Sequence, residues 1–234
     1  MMILDTFKTI TDEPTATPFG AKAMCLLEMG GFEWEFNFKD APNKAPKQKF
    51  PVLHDGDKSI ADSEHIRMYL EDTYGVDFDS NLSNDQKAVS RAVIRMIEEH
   101  FYFIVMSHRW EDEANWQNVK KGFFGGMPAP LKWFVPKIVR GNVSKTLNGQ
   151  GMGRHTRGEQ LVKAKQDIDA IIQLLGKQDF LFGNDPSAAD ASVVASFRNA
   201  VRLDPILPLS DYILENKTLM AYLERGKDAM YPKN

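Results

Sequence analysis

Three short stretches of the sequence carry residue types that can hold and orient a small charged molecule. Thr17-Pro18 has the form of a helix start, with a hydroxyl at the N-cap and a proline whose missing N–H costs nothing at the first helical position. Asp62-Ser63 forms a second helix entrance. The first N–H groups and the dipole there favour an anion, and the Asp62 carboxylate can meet an ammonium beside it. Between the two lie Lys47, Lys49 and the pair Phe50-Pro51, a loop of cations running into an apolar piece. Each stretch also has a purely structural reading: Thr17 and Ser63 as N-caps, the lysines as a solvated loop, and Pro51 as a residue that protects a sheet edge.

Other chemistry-bearing residues are less informative. Cys25 lies inside the helix that Thr17 opens, between Met24 and Leu26, and reads as a small core residue. None of the five histidines, His54, His65, His100, His108 and His155, forms a pair with a carboxylate at metal-site spacing, so no metal centre is expected. His100 falls on an apolar helix side and reads as a packed, hydrogen-bonded residue. Tyr102, His108, Arg109 and Trp110, followed by Trp116, Phe123 and Phe124, concentrate aromatic surface suited to an apolar ligand. Aromatics at helical spacing also serve as core, which makes this a region and not a defined site.

The elements that must position these residues follow from periodicity. Ile3, Leu4 and Phe7 suggest a first strand, and the helix from Thr17 runs to Gly30-Gly31. Phe32, Trp34, Phe36 and Phe38 alternate with polar residues, the signature of a half-buried strand. Phe50 to Leu53 and Ser59-Ile60 flank a turn at Asp55, Gly56 and Asp57 and read as a hairpin. A helix from Ser63 ends at Gly75, giving the order β, α, β, β, β, α, with room for a short helix in the lysine loop. After a linker, Ser83 and Gln86 make a capping box for one helix of about thirty residues with Val89, Val93, Met96, Ile97, Phe101 and Ile104 on its apolar side. Leu161 to Leu175 supplies a second apolar stripe, and Ser187 with Asp190 opens a third helix apolar enough for burial. The glycines between Asn148 and Gly153 read as a loop, since no strand precedes them as a phosphate cradle would require.

Length and composition set the outer limits. A chain of 234 residues, 43% hydrophobic and 26% charged, suits two folded units. The division expected is residues 1–75, a linker at 76–82, and an all-helical unit over 83–234. The formal net charge of −3 comes from interspersed acids and bases, with no run of five like charges to track a phosphate backbone or an anionic lipid surface. Nucleic acid is not an expected partner. Neither a signal peptide nor an apolar run near the roughly 20 residues of a membrane span is seen, and a lone cysteine fits the cytoplasm.

Taken together, Thr17-Pro18-Phe19-Gly20-Ala21-Lys22, Lys49-Phe50-Pro51-Val52-Leu53 and Ala61-Asp62-Ser63 resemble the glutathione-binding half of the glutathione transferase superfamily. Gly151 to His155, Leu181 to Asp190 and Met220 to Gly226 further resemble its branch of failed axon connections and metaxin-like proteins. The likeness spans nearly the whole chain. It implies a thioredoxin-like α/β domain followed by an all-α domain, with glutathione as co-substrate.

The resemblance also implies roles. Pro51 is expected after a cis bond that turns the Phe50 backbone N–H and C=O outward, where an extended peptide can pair with them. Asp62 and Ser63 would take the γ-glutamyl group, and Lys49, with Lys47, the glycine carboxylate. Thr17 stands where relatives carry cysteine or serine, so its hydroxyl would stabilise a thiolate and make no covalent intermediate. Tyr102, His108, Arg109 and Trp110 would face the second substrate. Arg154 and His155 match a family stretch that suggests a structural clamp with a carboxylate partner. The leading reading is a cytoplasmic, detoxifying transferase that conjugates glutathione to an apolar electrophile, and the resemblance allows a homodimer. The alternative is a non-catalytic binding or scaffold protein on the same fold.

Overall fold

The computed structural model describes residues 1–202 and 208–233. Its first half is a four-stranded sheet in the order β2-β1-β3-β4, built from β1 (Met2–Phe7), β2 (Trp34–Lys39), β3 (Val52–Asp55) and β4 (Lys58–Ala61). β1 and β2 are parallel, with Leu4 opposite Phe36, and are joined through helix α1 (Pro18–Met29). β3 runs antiparallel to both β1 and β4, with Leu53 opposite Leu4 and Ile60. The hairpin turns at Gly56, whose φ of +58 suits a residue without Cβ. α2 (Ser63–Tyr74) follows and stops at Gly75 in the left-handed conformation.

α1 begins as its sequence dictates: Thr17 accepts a hydrogen bond from the Phe19 N–H at 3.3 Å, and Pro18 fills the first helical position. Almost all of the helix is buried because it packs on the sheet on one side and on later helices on the other. Gly20 allows the close approach to β1, since a Cβ there would lie 2.3 Å from Thr6 Oγ1. The lysine loop contains turns closed by Ala45 N–H to Pro42 O and Gln48 N–H to Ala45 O, and no helix forms in it.

Past Gly75 the described structure is helical. The long helix is α3 (Asn84–Met96), a π-helical stretch (Ile97–Phe101) and α4 (Tyr102–Glu111) in unbroken succession, capped by Ser83 and Gln86. α5 (Glu113–Phe124), α6 (Leu131–Gln150), α7 (Arg157–Leu175), α8 (Ala188–Val201), α9 (Pro208–Leu214) and α10 (Lys217–Met230) follow. Every residue of α8 is buried. The Ser187 and Asp190 box at its start also ties down neighbouring elements, because Asp190 accepts from Leu181 N–H at 3.0 Å and Tyr222 O–H at 2.8 Å. One core joins the sheet, α1 and the helices around α8. A smaller cluster of Trp116, Val119 and Phe124 holds α5 and α6 together, with Val135 and Val139 packed on it.

The Gly151 to His155 stretch is a 3-10 turn. Arg154 lacks the expected carboxylate: its Nε donates to the Asn148 carbonyl at 2.9 Å, satisfying one of the open C=O groups at the end of α6. Gln160 closes the same turn by donating to Met152 O at 3.0 Å and His155 O at 3.3 Å. Cys25 is fully buried, and burial pushes its thiol well above the usual range. His100 is bound to Asp167 through Nδ1 at 2.6 Å.

Candidate functional site

A cleft of about 470 Å³ lies between the sheet's loops and the long helix, and it gathers nearly all of the residues singled out from sequence. Thr17 contributes from the start of α1, Lys47, Lys49, Phe50 and Pro51 from the loop before β3, Asp62 and Ser63 from the start of α2, and Tyr102, Arg109 and Trp110 from α4.

At the peptide end, the Phe50-Pro51 bond is cis. Pro51 O accepts from Asp62 N–H at 3.2 Å, which ties this loop to the entrance of α2. Among the described residues the Phe50 backbone N–H and C=O have no partner and stand open to a ligand. Asp62 has φ 92 and ψ 129, a conformation unfavourable for any side chain that costs about 1–3 kcal/mol and is found mainly where function over-determines it. One of its oxygens caps α2 through Glu64 N–H at 2.9 Å, and the exposed carboxylate keeps the other. Ser63 is buried to 3% exposure, yet its hydroxyl meets the cleft with no protein partner among the described residues. Lys47 is held at 2.9 Å from His65 Nδ1, while Lys49 lines the cleft without an ion-pair partner.

The other end is aromatic. Phe7 meets Phe50 edge-on at 5.0 Å and Phe123 at 5.8 Å, and Phe123 stacks on Trp110 at 6.3 Å, so a continuous aromatic wall runs from the cis-proline loop to α4. Phe19 packs on Tyr102 at 4.7 Å. In the sequence Phe7 and Phe19 read as parts of a strand and a helix start, and nothing in their spacing marks them as wall residues.

Arg109 is the charged group in this apolar end. Its Nη atoms donate to Ala16 O and Asn199 O, each at 3.1 Å, and it forms no ion pair among the described residues. Burial lowers its pKa, but a guanidinium stays cationic at any working pH. The protein therefore holds an uncompensated cation beside the residue preceding Thr17. Burial also raises the Tyr102 hydroxyl, partly opposed by Arg109, so the phenol is neutral and able to donate. Thr17's hydroxyl oxygen accepts from Phe19 N–H, which leaves its proton free for a ligand.

His108 departs from the sequence expectation. It does not line the cleft; it is buried at 5% exposure and its Nε2 has no hydrogen-bond partner. The reason is helical geometry: Tyr102, Met106 and Arg109 fall at i, i+4 and i+7 on one face, and His108 is turned about 100° from Arg109. Trp116 and Phe124 likewise belong to the α5–α6 cluster, and of that group only Phe123 reaches the cleft. Among the described residues no cluster of three or more His, Cys, Asp or Glu could hold a metal ion.

The glutathione S-transferase N-terminal domain matches residues 18–115 and the glutathione S-transferase C-terminal domain residues 164–226. The isoprene-epoxide–glutathione S-transferase of Rhodococcus sp. (strain AD45) is 31% identical over 225 residues, covering 91% of this chain and 92% of that protein. Failed axon connections of Drosophila melanogaster is 28% identical over 234 residues, covering 94% of this chain but 55% of that longer protein. A glutathione S-transferase of Ceriporiopsis subvermispora, solved in complex with glutathione, shares the fold with a TM-score of 0.67 at 15% identity, covering 100% of this chain and 99% of that one. On its fold, and on a likeness that runs the length of the Rhodococcus enzyme, this chain belongs to the glutathione S-transferase family.

Proposed function

We propose that the protein binds glutathione in this cleft and transfers its thiolate to an apolar electrophile bound against the aromatic wall. The observation that carries the reading is the convergence, in one cleft, of an unpaired Ser63 hydroxyl, an open Phe50 backbone and a free Asp62 oxygen with the Arg109 and Tyr102 pair. In the bound complex Phe50 pairs with the tripeptide backbone, Asp62 and Ser63 take the α-ammonium and α-carboxylate of the γ-glutamyl group, and Lys49 with Lys47 meets the glycine carboxylate. The sulfur lies at the start of α1. There the Thr17 hydroxyl, the helix dipole and the Arg109 charge favour thiolate over thiol.

The thiolate attacks an electrophilic carbon, a C–S bond forms, and the displaced electron pair leaves on the departing group or ring oxygen. Where that atom is oxygen, Arg109 stabilises the developing charge and Tyr102 donates a proton. Acceleration comes from thiol activation and from holding the reactants together, without a covalent enzyme intermediate. Residues 1–75 supply the peptide site and Phe7, Phe19 and Phe50 of the aromatic wall, 76–82 the linker, and the helical unit over 83–234 the rest of that wall. A cytoplasmic, detoxifying role and a homodimer complete the proposal, the latter checked by sedimentation.

The test is conjugation of glutathione to a panel of epoxides, halides and activated alkenes, with calorimetry for glutathione itself. Turnover on any class supports the transferase. Glutathione binding without turnover favours a second reading, a peptide-binding scaffold, which the likeness to failed axon connections and the lack of a cysteine at Thr17 support.

A further inference from the structure

The first turns of α6 present an apolar stripe to solvent. Leu131, Phe134 and Ile138 recur at i, i+3 and i+7 and therefore share one face, and they are 53%, 61% and 61% exposed. Trp133, turned about 100° from Phe134, is 64% exposed on the adjoining side of the helix. The inward face is supplied by other residues, Val135 and Val139, which pack on the Trp116 cluster. The outward stripe is thus not a by-product of packing.

Past Glu113, which opens α5 and pairs with Arg140 at 3.0 Å, the charge on this helix pair has one sign. Every charged residue between Glu113 and Glu159 is a lysine or arginine, in a chain whose formal net charge is −3. Lys120, Lys121, Lys137 and Lys145 form no ion pair among the described residues, and Lys120 and Lys137 share a groove with Trp133. These residues are too scattered in sequence to make a basic run, and the α5–α6 hairpin is what collects them.

We propose that this face of α6 and its flanks docks on an anionic lipid surface, with Leu131, Phe134 and Ile138 entering the headgroup region and the flanking lysines meeting lipid phosphates and carboxylates. A helix with bulky apolar side chains outward and flanking lysines has the composition that lies in a membrane interface. A second copy of the chain is a poorer occupant, because it would bring together two faces that each carry an excess of cations. The same helix pair supplies Phe123 and Val143 to the cleft, so docking would hold the second-substrate wall close to where apolar electrophiles dissolve.

The experiment is co-sedimentation of the full chain with phosphatidylcholine vesicles and with vesicles holding roughly a third phosphatidylserine, at low and high salt, for the parent, Phe134→Ser/Ile138→Ser and Lys132→Glu/Lys137→Glu. The parent should bind the anionic vesicles at least about tenfold more tightly than the neutral ones, and salt should weaken that binding. The serine pair should lose binding, and the glutamate pair should lose the preference for anionic lipid. Melting curves and glutathione calorimetry on the same variants confirm that they are folded. No binding by the parent, or binding that neither pair alters, overturns the proposal. So does concentration-dependent dimerisation that the serine pair abolishes, which would make a second copy the occupant, or capture by an acidic protein with no vesicle binding.

Discussion

Lys22 of α1 places its ammonium 2.6 Å from Glu98 in the long helix, and the same nitrogen lies 2.8 Å from Glu64 at the start of α2. All three side chains are buried. This triad fixes the two helices that carry Thr17 and Ser63 against the helix that carries Tyr102 and Arg109. Glu98 also accepts from Ser192 at 2.9 Å and Arg95 at 3.1 Å, and Glu64 from Arg67 and Arg91. Burial alone would raise the Glu64 pKa, but Lys22 and Arg67 outweigh it and hold the carboxyl down at about 2.

Removing the shared cation should be costly. Lys22→Met leaves two carboxylates in the interior and is expected to destabilise the protein by about 3 kcal/mol, the range found when one partner of a buried pair is deleted. Urea unfolding measures it. A loss under about 1 kcal/mol would mean that the arginines carry the triad.

The Asp190 carboxylate is the centre of a second buried network, accepting from Leu181, Ser187 and Tyr222. Ser187→Ala should cost about 0.5–2 kcal/mol as a lost N-cap. Asp190→Ala should cost more, about 3 kcal/mol or above, because several buried donors lose their acceptor at once. The double variant should fall short of the sum, since both residues satisfy one helix end. Equal losses for the two single variants, or strict additivity, would contradict this network.

His108 predicts a pH dependence. Burial first, and the Arg157 charge second, depress its pKa from the ordinary 6.5 to about 4, with Asp112 opposing. A depressed folded value means that the unfolded chain binds the proton more readily. The neutral imidazole therefore contributes stability that is complete above about 6.5 and is lost as the pH falls through about 4. His108→Leu should flatten the fall in melting temperature across that window. A parent and variant with parallel profiles would place His108 in a more polar setting.

Arg109 should matter to turnover more than to peptide binding. Arg109→Met is expected to lower turnover about ten- to hundredfold through loss of one charged interaction with the thiolate or leaving oxygen, with glutathione affinity largely kept. Arg109→Lys should recover part of the loss. Equal loss in both variants accompanied by a lowered melting temperature would assign Arg109 to structure alone, through Ala16 and Asn199.

What the sequence disclosed was local. Thr17-Pro18, Ser83 with Gln86, and Ser187 with Asp190 are signals contained within one helix turn, and each helix starts where they stand. Alternation in Trp34 to Phe38 marked β2 for the same reason. The box formed by Thr156 and Glu159 is a signal of the same kind, and α7 starts at it. α6 carries no clear local signal, because its inward Val135 and Val139 and outward Leu131, Phe134 and Ile138 cancel the amphipathic pattern and Pro136 sits inside it. Lys22 finds partners 42 and 76 residues away, which no local pattern announces. Adjacency in the sequence groups His108 with Arg109, whereas neighbours on a helix face different ways.

The central claim is that glutathione occupies the cleft at Phe50, Asp62 and Ser63, and calorimetric titration with glutathione tests it most directly. The parent should bind one glutathione per chain. Single replacement of Asp62 or Ser63 by alanine should weaken binding by about 1–3 kcal/mol, and the double replacement by more than either. A parent that gives no binding heat at millimolar glutathione, or a double variant that binds as the parent does, contradicts the account.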